Sequence, residues 1–165
     1  MYNKILVPLD GSQFAECSLE HVKDIAKGCR VAEVFLLTVI EPVRTPGYWT
    51  ANREQALEMG RDLEKSRKLL RGEAEDYLSR AAENLKKEGL IVQTVAIEGL
   101  ENKQVADIIL DYVQSNNIDM IVMSTHGRSG ITRWAMGSVA DKIVRSATIP
   151  VMTMAPKGCR LAAAA

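Results

Sequence analysis

Short apolar runs alternate along this chain with stretches whose apolar residues recur at three- and four-residue steps. Residues 4–9 form an apolar run closed by the turn cluster Asp10-Gly11-Ser12. Phe14, Cys17, Val22, Ile25 and Ala26 then follow at helical spacing, with Gly28 as the stop. Residues 31–39 make a second run rich in β-branched and large aliphatic side chains, and 41–52, with Pro42, Pro46 and Gly47, reads as a loop. Residues 53–88 are charged and helix-prone, with Leu70, Ala74, Tyr77, Ala81 and Leu85 marking one face. Gly60 and Gly72 interrupt this stretch, which leaves one helix or two, and its charges read as a solvated face. Gly89 ends it. A third strand is expected at 91–97, and an amphipathic helix on Val105, Ile108, Ile109, Tyr112 and Val113, closed by Ser115-Asn116-Asn117. A fourth strand is expected at 119–123, a glycine-containing loop at 124–137, and a last helical stripe on Val139, Ala140, Ile143, Val144 and Ala147. Pro150 introduces a fifth strand, Val151-Met152-Thr153-Met154.

Strands that are apolar on both faces suit a parallel sheet covered by helices on both sides. Five of them interleaved with helical regions predict an α/β architecture, and right-handed crossovers make it a doubly wound five-stranded parallel sheet. Ligands bind such sheets beyond the carboxyl ends of the strands, where the winding reverses. If the first and fourth strands are neighbours there, Asp10-Gly11-Ser12 faces the segment from Ser124 to Ser138.

Composition narrows the function. Across 165 residues, 21 Lys and Arg balance 21 Asp and Glu, which argues against a nucleic-acid binder and its net basic face. Aromatics are only 5%, so the core must be aliphatic and any bound ring must be held by backbone and aliphatic groups. No apolar run approaches the ~18–20 residues that cross a bilayer, and the N-terminus lacks a signal-peptide layout, so a cytoplasmic protein without a membrane partner is expected. Cys17, Cys29 and Cys159 form no metal or CxxC pattern and read as reduced thiols. Residues 1–157 read as one domain and 158–165 as a low-complexity tail.

The segment 123–138 gathers three glycines, hydroxyl residues, Arg128, Arg133 and His126 between a buried strand and a helix start near Gly137-Ser138. A helix N-terminus offers unpaired N–H groups to a phosphate. Ser138 can bond a phosphate or cap the helix, so both a phosphate cradle and an ordinary connection stand as readings. His126 reads as a loop imidazole bonded to backbone, without a carboxylate or second histidine to make a triad or a metal site. Trp134 reads as packing. Asp10 can hold the turn through Ser12, or meet a ribose hydroxyl, an adenine amine or, through water, Mg²⁺. The chain carries neither GxxxxGK[ST] nor a GxGxxG after its first strand.

Together, Ile5-Leu-Val-Pro-Leu-Asp-Gly-Ser12, Asp119-Met-Ile-Val-Met-Ser-Thr-His-Gly-Arg-Ser-Gly130, Gly137-Ser-Val-Ala140 and Ile149-Pro-Val151 resemble the universal stress proteins, over essentially the whole chain. The ATP-binding branch of that family carries G-x2-G-x9-G-[ST]. Here Gly127 and Gly137-Ser138 match, while Ser124 stands at the first glycine position. A Cβ there narrows the backbone's approach to a ligand and disfavours positive φ. The resemblance implies an adenine nucleotide alpha hydrolase-like fold with strand order 3-2-1-4-5. It implies adenine against Pro8, Leu9, Asp10 and Val39, with ribose and phosphates on Met123, Ser124, His126, Gly127, Arg128, Gly137, Ser138 and Val139. It also implies ATP, ADP or AMP as cofactor, with Mg²⁺ alongside, and a homodimer through the fifth strand, whose apolar edge carries no protective charge.

The expected function is therefore a nucleotide-binding regulatory module of a stress response, with an unidentified protein partner. Two other classes remain. One is a stress-protein dimer that binds no nucleotide and acts through protein contacts, which Ser124 favours. The other is a slow ATPase or adenylating enzyme, against which stand the single glycine after Asp10 and the lack of a general base or phosphate-clamping lysine in the loop.

Overall fold

The computed structural model describes residues 2–42, 53–125 and 136–155. In chain order the elements are β1 (Lys4–Pro8), α1 (Gln13–Glu16), α2 (Ser18–Cys29), β2 (Glu33–Ile40), α3 (Arg53–Lys87), β3 (Val92–Glu98), α4 (Val105–Ser115), β4 (Met120–Ser124), α5 (Ser138–Ser146) and β5 (Val151–Met154). The strands form one five-stranded sheet in the order β3-β2-β1-β4-β5, parallel throughout. The order predicted from the family resemblance is thus observed. The winding reverses between β1 and β4, which pair through Ile5–Met120 and Leu6–Ile121.

Alternation along β1 explains the two cores. Ile5, Val7 and Leu9 join Val34, Leu36 and Val122 under α2 and α3, which contribute Val22, Ala26, Leu78, Ala82 and Leu85. Leu6 points the other way, with Phe35, Leu37, Ile121 and Met123, beneath Ala106, Ile109 and Val113 of α4 and Ala140 and Ile143 of α5. Side chains of period two on each strand thus serve two helical layers.

Several boundaries differ from expectation. α2 runs past Gly28 and stops on Arg30, in the left-handed region at φ 52, whose N–H returns to Ala26 O. The helical stretch after the first turn is broken at Cys17 into α1 and α2. α3 is one helix of 35 residues, so neither Gly60 nor Gly72 breaks it. A Cβ at either glycine would meet nothing within 4 Å, so both lie on open faces where their cost is propensity alone. Gly89, at φ 83, does end that helix, and Leu90 N–H closes onto Leu85 O at 3.2 Å. Cys17 is disulfide-bonded and Cys29 is a free exposed thiol, so the expectation of reduced thiols fails for Cys17. Among the described residues no helix is long and apolar enough to cross a membrane.

Candidate functional site

The carboxyl ends of β1, β2 and β4 open into one cavity of about 770 Å³, a size suited to a small-molecule ligand. Nine of the residues expected at a ligand site line it: Pro8, Leu9, Asp10, Val39, Met123, Ser124, Gly137, Ser138 and Val139. His126, Gly127 and Arg128, like Arg133 and Trp134, lie outside the described residues.

Each wall has a local cause. At the end of β1, Asp10 Oδ1 accepts from Ser12 N–H at 3.0 Å and from Ser12 Oγ at 2.6 Å, and Ser12 Oγ accepts from Ala15 N–H at 3.1 Å. This relay satisfies the start of α1 and fixes the direction of the Asp10 carboxylate. Gly11, at φ 83, supplies the backbone conformation that the turn requires. Leu9 is held from both sides: its N–H donates to Leu37 O at 2.8 Å, and its carbonyl accepts from Thr38 Oγ1 at 2.9 Å.

On the β4 side, Thr125 N–H donates to Met154 O at 2.9 Å and Thr125 O accepts from Gly137 N–H at 2.8 Å. These two bonds lace the ends of β4 and β5 to the start of α5. A Cβ at Gly137 would stand 3.3 Å from Thr125 O, so the glycine permits this close approach. Gly137, not Ser138, is the N-cap of α5 and makes no side-chain cap bond. Ser138 is the first helical residue and exposed, so the capping alternative for its hydroxyl does not hold. The start of α5 thus lines the cavity without a capping side chain, a feature that suits an anion.

Ser124 is not a loop residue. It is the last residue of β4, 8% exposed, in register with Met154. Positive φ among the described non-glycine residues occurs only at Arg30 and Asn117, so the serine sits in a conformation open to any residue. The concern that a Cβ here would disfavour the needed backbone angle is thereby removed.

The sequence reading missed one wall entirely. Leu70, Glu73, Ala74 and Tyr77 of α3 line the cavity, with Ile40 and Pro42 beside them. The signal is present in the stripe that marks one face of this helix. The expected stripe of Leu70, Ala74, Tyr77, Ala81 and Leu85 divides in the fold: Leu85 lies in the core with Leu78 and Ala82, Tyr77 and Ala81 pack against that core, and Leu70, Ala74 and Tyr77 face the cavity. Gly99 was also overlooked. It follows β3, its N–H donates to Ile40 O at 2.8 Å, and a Cβ there would stand 2.8 Å from that same oxygen. Burial pushes the Tyr77 hydroxyl above the ordinary phenol range, and the neighbouring Glu16 carboxylate adds to the effect. Among the described residues no cluster of three His, Cys, Asp or Glu could hold a metal ion.

The universal stress protein family model matches residues 1–154. The chain is 28% identical over 158 residues to universal stress protein MJ0531 of Methanocaldococcus jannaschii, covering 93% of this chain and 82% of that one. It is 28% identical over 163 residues to universal stress protein MJ0577 of the same organism, covering 95% and 97%. The solved structure of MJ0577 superposes with a TM-score of 0.75 at 25% identity, over 94% of this chain and 96% of that one. A universal stress protein from Archaeoglobus fulgidus, solved in complex with dAMP, superposes with a TM-score of 0.57 at 23% identity, over 92% and 97%.

Proposed function

The chain belongs to the universal stress protein family, and from that premise and the cavity's geometry we propose that it is a regulatory module that binds an adenine nucleotide. The observation that carries this reading is the convergence of nine expected contact residues from four separate elements on one cavity. Adenine fits the aliphatic and backbone groups of Pro8, Leu9 and Val39, with Asp10 placed for a base amine or ribose hydroxyl. Phosphate fits the uncapped start of α5 at Ser138 and Val139. The dAMP complex of the A. fulgidus relative supports the same ligand class.

The donor set bears on the choice between ATP, ADP and AMP. Asp10 Oδ1 already accepts two hydrogen bonds from Ser12, so Mg²⁺ would be held mainly by a nucleotide's own phosphates, with Asp10 meeting it through water. Its role there would be to neutralise phosphate charge. His126, Gly127 and Arg128 belong to the same proposed site as its phosphate loop. We further propose that β5, an edge strand of the sheet, pairs with its copy in a homodimer that presents the nucleotide state to a protein partner.

Isothermal titration with AMP and with Mg²⁺-ATP tests the nucleotide reading. Binding at micromolar to submillimolar concentration is expected, weakened at least tenfold by Gly137→Asp, which sets a carboxylate and a Cβ against the start of α5. No heat and no thermal shift at millimolar nucleotide would sink it in favour of a dimer acting through protein contacts alone.

A further inference from the structure

We propose that Glu73 is a specificity-determining residue of this cavity: its carboxylate accepts a hydrogen bond from the exocyclic amine of the base, so that the site prefers a 6-amino purine nucleotide to its 6-oxo counterpart. The inference rests on the nucleotide reading above and deepens it with a side chain of α3 that reading did not use.

The cavity has two unlike ends. One is the uncapped start of α5, beyond β4. The other is formed by Glu41, just past β2, and by Glu73 of α3, a helix that packs against β2 and β3. β2 and β4 flank β1 on opposite sides, so their ends stand about 10 Å apart at ordinary strand spacing, a span that suits a nucleoside monophosphate. With the phosphate at α5, the base lies at the α3 end. Among the described residues that line the cavity, the charged side chains are Asp10, Glu41 and Glu73, with no Lys, Arg or His. An ionised carboxylate only accepts hydrogen bonds, so the α3 end recognises a donor and repels an acceptor. Adenine presents an amine where a 6-oxo purine presents a carbonyl oxygen.

Of the three carboxylates, Glu73 is the one placed and free to read that edge. Asp10 Oδ1 is engaged by Ser12 N–H and Oγ, and Glu41 stands outside any helix or strand. Glu73 lies within α3 between Leu70 and Tyr77, which also line the cavity. The helix is tied to β3 at this level, where Arg71 Nη2 donates to Glu98 Oε1 at 3.0 Å. Arg71 also pairs with Glu75 at 3.8 Å, so this cation is committed elsewhere. Glu73 itself makes no hydrogen bond or ion pair among the described residues. It is exposed, so the discrimination is that of a partly solvated charge-assisted bond, about tenfold, and not the far larger factor of a buried one.

The test is calorimetric titration of wild type, Glu73→Gln and Glu41→Gln with AMP and with inosine 5′-monophosphate. The two nucleotides share ribose, phosphate and shape, so the ratio of their affinities isolates the base edge. Wild type should prefer AMP about tenfold. Glu73→Gln, whose amide donates as well as accepts, should bring the two within about twofold of each other. Glu41→Gln should keep the wild-type preference to within about twofold, and the nucleotide-free midpoint of Glu73→Gln should match wild type, as for an exposed helix position. Equal wild-type affinity for the two nucleotides would overturn the assignment. So would an unchanged preference in Glu73→Gln, an equal loss for both nucleotides there, or a preference that disappears with Glu41→Gln. If wild type binds neither nucleotide, the functional reading fails and this inference with it. If wild type binds both alike, that reading stands and only the role of Glu73 fails.

Discussion

Replacing Gly99 by alanine probes whether the β2 end of the cavity is built by close backbone approach. The added Cβ would lie 2.8 Å from Ile40 O, 3.1 Å from Pro42 Cδ and 3.6 Å from Val39 Cγ1. The first contact is with backbone, and with the oxygen that accepts Gly99 N–H at 2.8 Å, so no side-chain rotation relieves it. Opening it to an ordinary van der Waals distance separates the ends of β2 and β3 by roughly half an ångström. Overpacking of this kind costs about 1–3 kcal/mol. At roughly 2–4 °C per kcal/mol for a chain of this size, the thermal midpoint should fall by about 2–12 °C. Because Val39, Ile40 and Pro42 line the cavity, AMP should also bind several-fold more weakly. Scanning fluorimetry and titration calorimetry read the two effects, with Gly60→Ala as the control. At Gly60 a Cβ meets nothing within 4 Å inside α3, so alanine should raise the midpoint by about 2–4 °C, the equivalent of ~1 kcal/mol of helix propensity. A Gly99→Ala protein that melts at or above wild type would refute the close-approach argument.

Ser124→Gly should lower the midpoint by about 1–4 °C, the cost of glycine at a residue held in extended backbone, and should not tighten AMP binding, since no positive φ is needed there; a tenfold gain in affinity would count against that geometry. The Glu88 carboxyl is held down to about 2 by hydrogen bonds from Lys27 and Lys23 and by their charges. Its folded value lies below its unfolded one, so its contribution is present above pH ~4.5 and is lost as pH falls toward 2. Glu88→Gln should therefore melt slightly below wild type at pH 7, by a margin that salt shrinks, and should match it near pH 2; a margin independent of pH would exclude this linkage. Thr153→Lys, which places a charge on the β5 edge, should turn the proposed dimer into a monomer by light scattering. A wild type that is monomeric at tens of micromolar removes that proposal.

Local pattern carried the fold because four of the five strands are apolar runs bounded by turn residues, while β3, with Gln93 and Thr94 exposed, is marked by partial alternation. The switch point between β1 and β4, and with it nine of the cavity residues, followed from topology and from the resemblance of the Gly137-Ser138 and Asp10-Gly11-Ser12 segments. What escaped was decided by tertiary context. Arg30 ends α2 because the chain must turn into β2, a demand that overrides the weaker stop signal of Gly28. Gly60 and Gly72 stay helical because their propensity penalty is small against the buried packing of the helix's second half. Tyr77 could not be singled out because apolar stripes one residue apart on a helix look alike in sequence, and only the sheet decides which of them it covers.

The proportions of α3 give the cavity a mechanical reach. From Tyr77 to the first residue of the helix is about 36 Å at 1.5 Å per residue, and Leu57 and Leu69 along that arm are 54% and 64% exposed. Beyond the buried anchor of Leu78, Ala82 and Leu85 the helix is a lever with its fulcrum at the cavity wall. A tilt of about 10° there would sweep its far end through about 6 Å.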